Sequence, residues 1–156
     1  LGVRLTVHAV ASTFLFGSED RIVFEISRLF VVDEDPFALE RIYLPTEIGE
    51  LLPVERIRSA VIDDLIREMA GIAVDHGYET IELAKLDREQ AALLGARRGD
   101  AAFLITRMVS SAEQPLQVRQ TLIRGERVRF HIGLQGPDLA PGADVGVLMS
   151  SNRQIT

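Results

Sequence analysis

The chain has no cysteine. That excludes disulfides, thiolate metal sites and a cysteine nucleophile, and it fits a reducing cytoplasmic location. There are three histidines, His8, His76 and His131, far apart in sequence. A metal site would need them to converge with carboxylates, so neither a metal nor a cofactor is expected. No apolar run approaches the length of a membrane span, and the N-terminus has no signal-peptide profile. The phosphate loop, the dinucleotide-binding glycine fingerprint, the nucleophile elbow and the zinc-protease helix motif are all missing. Positive charge is in short supply too. Seventeen Lys and Arg stand against 23 Asp and Glu, a net charge of -6, so a nucleic-acid backbone is repelled on average.

Apolar residues make up 47% of the 156, enough for a real core in a single domain over 1–156. The first residue is Leu1, and we expect the chain to be part of something longer.

One hairpin pattern occurs twice, Arg28 and Arg107 standing 79 residues apart, a spacing that signals internal duplication. The first copy reads Phe24-Glu25-Ile26-Ser27-Arg28, then Asp33-Glu34-Asp35-Pro36, then Ala38-Leu39-Glu40. The second reads Phe103-Leu104-Ile105-Thr106-Arg107, then Ala112-Glu113-Gln114-Pro115, then Gln117-Val118-Arg119. Each arginine shares the apolar face of a strand, Arg28 between Ile26 and Phe30, Arg107 between Ile105 and Val109. A charge there must find a partner, because burying it unpaired is costly. With a three-residue loop Asp33–Asp35, Arg28 faces Glu40 across the hairpin, as a structural bridge or as part of a ligand site. By the same register Arg107 faces Arg119. That like-charge pair calls for a neighbouring carboxylate or a bound anion.

The rest reads as an alternation of strands and helices. Residues 3–16 look like a strand stopped at Gly17, and Arg21–Val32 and the return to Leu44 form the first hairpin. A short helical turn over 46–53 follows. Ser59 is expected to cap a helix bearing Val61, Ile62, Leu65, Ile66 and Met69, closed by Gly71. Tyr78–Leu86 is a strand. Asp87 with Gln90 fits a capping box for a helix over Arg88–Leu94, with Gly95 as its stop. The second hairpin spans about 100–124, Arg127–Leu134 is a last strand, and the Gly/Pro-rich tail from about 136 is expected to be irregular. Strands joined by hairpins rather than crossovers imply an α+β fold, a mainly antiparallel sheet with flanking helices.

At this point the residues resemble a family. Arg28-Leu29, Asp33-x-x-Pro36-x-x-x-Glu40, Tyr43-Leu44-Pro45 and Ser59 come in an order similar to that of the effector-binding (UTRA) domain of HutC-type regulators in the GntR family. Gln114-Pro115-Leu116 and Arg124-Gly125-Glu126-Arg127-x-x-Phe130 agree, the latter resembling the family's Arg-Gly-Asp-Arg-Tyr-x-Phe run. The resemblance implies a chorismate-lyase-like fold, a small-molecule effector, a homodimer, and an N-terminal winged helix-turn-helix absent from this chain, through which alone DNA would be contacted. It implies no catalysis and no membrane partner.

Carried over position by position, the family's ligand contacts fall on Arg28, Phe30, Glu40, Ser59, Val61, Gln117 and Ile123. Arg28, Glu40 and Ser59 match. Phe30 stands where many members have a second arginine, and Val61 where a Ser-Leu-Tyr motif has its tyrosine. Gln117 replaces a common glutamate and Ile123 a common tyrosine. Arg107, Arg119 and Arg124 complete the candidate set. The replacements make the pocket more apolar than a phosphosugar site, suited to a small organic molecule with one anionic or polar end. Arg28 is expected to anchor it. Two other readings remain open at this level. One is a lyase-like enzyme on the same fold, with Arg28 or Arg107 holding a carboxylate and Glu40 as acid/base; the other is an interaction module without a ligand.

Overall fold

The computed structural model describes residues 1–112, 114–135 and 140–149, with backbone alone for 131–135 and 140–149. The chain begins with β1 (Gly2–Val7), α1 (Ala9–Phe16), β2 (Ile22–Val32) and β3 (Asp35–Leu44). Three short helices follow: α2 (Thr46–Gly49), α3 (Val54–Ile57) and α4 (Ile62–Ala70). Then the opening pattern returns as β4 (His76–Lys85), α5 (Arg88–Leu93), β5 (Ala101–Ser111) and β6 (Gln114–Arg124). A 3-10 turn leads to β7 (Val128–Gln135) and β8 (Ala140–Met149). The main sheet runs β1-β2-β3-β6-β5-β4, each neighbouring pair antiparallel, and β7 and β8 form a separate hairpin. The expected α+β architecture is present.

The duplication reaches beyond the two hairpins. The 79-residue offset that superposes Arg28 on Arg107 also carries β2 onto β5 and the cap of α1 onto the cap of α5. In α1 the neutral Nδ1 of His8 accepts the Ala11 N–H at 3.3 Å. In α5 the Asp87 carboxylate accepts the Gln90 N–H at 2.8 Å, and the Gln90 side chain accepts the Asp87 N–H at 3.0 Å, so the capping box forms.

Both hairpins also slip register at equivalent places, between Phe30 and Val31 and between Val109 and Ser110. Asp33, Glu34 and Ala112 take φ of 50°, 68° and 46°. In the first hairpin these angles belong to a two-residue turn whose left-handed pair matches the twist of the strands. The loop is therefore one residue shorter than expected, and the bulge supplies the missing residue. Arg28 still pairs with Glu40, and Arg107 with Arg119.

Three local expectations fail. Residues 3–16 are not one strand: β1 stops at Val7 and α1 runs from the His8 cap to Gly17, which takes φ 71° and donates its N–H to Thr13 O at 2.8 Å. Six of the eight residues of α1 are apolar and spread round the helix, so no periodicity betrays it; it is held by packing of Ala11 and Leu15 on Val23, Tyr43 and Val118. Next, Ser59 does not cap α4. The N–H groups of Ser59 and Ala60 still bond back to Arg56 O, at 3.3 and 3.0 Å, so the preceding turn continues and the N-cap is Val61, with no capping side chain. Gly71 does end this helix, at φ 70°. Finally, 140–149 is strand β8 rather than irregular tail, while 136–139 and 150–156 lie outside the described residues.

The two faces of the main sheet are covered differently. On one, Phe24, Ile26, Ile42 and Leu44 pack under Leu52, Ile57, Ile62, Leu65 and Ile66 of the α2–α4 segment. On the other, α1 covers Val23, Tyr43 and Val118, and α5 covers Leu39, Ala102 and Leu122. The α2–α4 segment leaves the charged positions of its face at its margin, which sets up the site.

Candidate functional site

Strand alternation puts Arg28, Glu40, Arg107, Arg119, Thr121 and Ile123 on the face that carries α2–α4. In the first hairpin the charge is settled locally. The Arg28 side chain, 11% exposed, donates from Nε to Glu40 Oε1 at 2.8 Å and from Nη2 to the same oxygen. Its Nη1 donates to Ile57 O at 3.1 Å and Ala60 O at 2.8 Å. Those carbonyls lie at the end of α3 and in the turn before α4. Four guanidinium N–H groups are thus committed inside the protein, and Phe30 lies beneath, its centroid 5.4 Å from the guanidinium carbon.

The second hairpin has no acid at the equivalent place, because Arg119 stands where Glu40 would be. The compensating carboxylate arrives from elsewhere. Asp63, in the first turn of α4, accepts at Oδ1 from Arg119 Nη2 at 2.8 Å and from Gln117 Nε2 at 3.1 Å. Its Oδ2 lies 3.5 Å from Arg107 Nη2. The expected carboxylate near the like-charge pair is present. Glu79, across from Arg107 on β4, is only 3.9 Å from its Nε and is half exposed. Two guanidiniums therefore share one well-placed carboxylate. Gln117 is fully buried, yet its Oε1 has no partner, and neither has Arg119 Nε.

The remaining candidates divide. Phe30 is 40% exposed and Ile123 is buried, both on the same face as Arg28. Ser59 and Val61 flank the Ala60 carbonyl that Arg28 holds, and both are exposed. Arg124 is not part of this group. Alternation turns it to the opposite face, where Nη1 reaches Leu94 O at 3.3 Å and Asp35 at 3.4 Å. That same opposite face holds a groove of about 140 Å³ lined by Leu39, Arg41, Lys85, Gln90, Leu104 and Leu122, none of them a predicted site residue. Among the described residues no group of three or more His, Asp or Glu could hold a metal ion, and no helix is long and apolar enough to cross a membrane.

The UTRA domain family model matches residues 5–129. The chain belongs to the UTRA domain family. A comparison with curated protein sequences finds no match, but solved structures are similar across most of the chain. The C-terminal domain of YurK from Bacillus subtilis is 19% identical with a TM-score of 0.75, over 85% of this chain and 92% of that one. A GntR-family transcriptional regulator from Enterococcus faecalis is 16% identical with a TM-score of 0.73, over 85% and 96%. The effector domain of PhnF from Mycobacterium smegmatis is 26% identical with a TM-score of 0.68, over 81% and 79%. This UTRA domain therefore stands with the effector-binding domains of transcription regulators and not with enzymes, which removes the lyase-like reading.

Within this UTRA domain, α4 begins two residues later than the sequence suggests, with Val61 as its N-cap and Asp63 in its first turn. Asp63 is the residue that sequence reasoning missed. Its one available signal was the unpaired Arg107–Arg119 register, which asked for an acid without saying from which element.

Proposed function

We propose that this UTRA domain senses a small molecule on the sheet face bearing Arg28, Glu40, Arg107 and Arg119, in a HutC-type regulator of the GntR family. The observation that carries the reading is that charged side chains on an otherwise apolar face meet the segment linking α3 and α4, so a ligand there touches both hairpins and a helix. The chain works as a homodimer in the cytoplasm. Its edge strands β1 and β4 expose Leu5, Val7, Tyr78 and Leu83, and such edges favour pairing with a second copy. Ligand binding shifts how two protomers sit and so alters the DNA affinity of winged helix-turn-helix domains carried outside this chain. The net charge of -6 agrees with DNA contact falling to another part. A ligand acts this way only through a difference in affinity for two arrangements.

Thermal-shift screening of small organic acids and neutral metabolites, followed by calorimetry and by sedimentation at micromolar concentration, tests this. Saturable binding of one class and a species of twice the 17.3 kDa chain mass are expected. A monomer that no compound stabilises would overturn the proposal.

A further inference from the structure

Resting on the effector-sensing reading, we infer that the anionic end of the effector binds at the Arg107–Arg119 pair by taking the place of Asp63, and that this exchange unties α4 from the second hairpin. Arg28, the anchor that the sequence suggests, has four donors committed to Glu40, Ile57 O and Ala60 O. A ligand could win them only by breaking a buried pair. The Arg107–Arg119 pair is held more loosely. The Arg107 contact to Asp63 is 3.5 Å, beyond the usual hydrogen-bond range, and its side chain is 34% exposed.

Arg119 Nε and Gln117 Oε1 are buried and unpartnered, so the same place lacks one acceptor and one donor. A carboxylate or phosphate brings acceptors for both arginines and for Gln117 Nε2, and a neighbouring hydroxyl brings a donor for Gln117 Oε1. Bidentate pairing with guanidinium is what favours such oxyanions.

Asp63 can leave without being stranded. It is 22% exposed already, and in the first turn of α4 its charge remains favourable toward the helix dipole after it turns to solvent. Among the described residues, the Asp63 contacts to Arg107, Gln117 and Arg119 are the hydrogen bonds and ion pairs that join α4 to the second hairpin. Ile62, Leu65 and Ile66 keep α4 packed on the first hairpin, and Arg28 keeps the preceding turn. Exchange therefore undoes the polar tie between α4 and the second hairpin and leaves the core intact. Binding is converted into motion at a defined place.

The experiment uses inorganic phosphate and benzoate, an oxyanion without and with an apolar body, at constant ionic strength. Calorimetry gives affinity, and amide hydrogen exchange of α4 reports release. The unaltered protein should bind at least one probe weakly, with faster exchange on binding of the hydrogen-bonded amides of α4, from Leu65 onward. Asp63→Asn should bind the same probe at least tenfold tighter, with α4 exchange already fast and no longer responsive. Asp64→Asn, which removes an exposed neighbour paired with Arg67, should behave like the unaltered protein. Equal affinity in Asp63→Asn, a matching gain in Asp64→Asn, or bound probe with unchanged α4 exchange would each overturn the inference. Should Asp63→Asn not fold, the exchange response of the unaltered protein decides alone. A screened compound that binds while α4 stays protected would sink the aspartate exchange and leave effector sensing standing.

Discussion

Replacing Arg28 with methionine tests what holds the α3–α4 turn to the first hairpin. The substitution keeps an unbranched apolar stem and removes the guanidinium. Glu40, 7% exposed at its side chain, is then left as a buried carboxylate without its counter-ion, and Ile57 O and Ala60 O lose charged donors. Breaking a buried ion pair from one side costs about 3–5 kcal/mol. For a chain of this size that lowers Tm by roughly 6–20 °C. Glu40→Gln should cost less, about 1–2 kcal/mol, because the amide oxygen still accepts from Arg28 and both backbone carbonyls remain held. The double variant Arg28→Met with Glu40→Leu should recover part of the loss, since a pair replaced by apolar side chains leaves no stranded charge. Urea unfolding followed by circular dichroism measures all three, with the slope m unchanged. A loss below about 1 kcal/mol for Arg28→Met, or a double variant weaker than the single one, would refute the clamp.

Two further outcomes follow from the packing. Burial, with the Glu25 carboxylate adding to it, pushes the Tyr43 hydroxyl up to about 12 from its ordinary value of 10. The folded state holds that proton more tightly than the unfolded one, so its contribution is complete below pH 10 and is lost as pH rises to 12. The loss is roughly 2–3 kcal/mol; urea unfolding at pH 9 and pH 11.5 should reveal it, and a Tyr43→Phe variant that falls as steeply would disprove it. Gly49→Ala should destabilise by about 1–3 kcal/mol, because a Cβ there would lie 2.1 Å from Cγ of the Phe24 ring; an unchanged Tm would show that Phe24 has room to move.

What could be read from the residues depended on whether partners lie close in sequence or in register. The capping box of Asp87 and Gln90 is a four-residue signal, and it formed as expected. Arg28 opposite Glu40 required only a correct odd count around the turn, and the bulge supplied the residue that the shorter loop withheld. The helix α1 escaped notice because residues 9–16 are mostly apolar and rich in β-prone side chains, so the decision was made by tertiary packing. The start of α4 was misjudged because Ser59 looks like a cap, while the chain spends two more residues finishing the previous turn. Asp63 belongs to a third case. It meets Gln117 across 54 residues and Arg119 across 56, and no local pattern encodes a contact between a helix end and the far hairpin.

The duplicated architecture also has a kinetic meaning. Within each half the strands pair with near neighbours in the chain, β1 with β2 and β2 with β3, then β4 with β5 and β5 with β6. A single ladder, β3 with β6, from Ala38 opposite Ile123 to Tyr43 opposite Val118, joins distant parts of the sequence into one sheet. The entropy of closing a long loop is therefore incurred at one seam, after local hairpins can already exist. Topology therefore makes closure of the β3–β6 seam the expected slow step, and substitutions in that ladder should slow folding more than equally destabilising ones at β1 or β4.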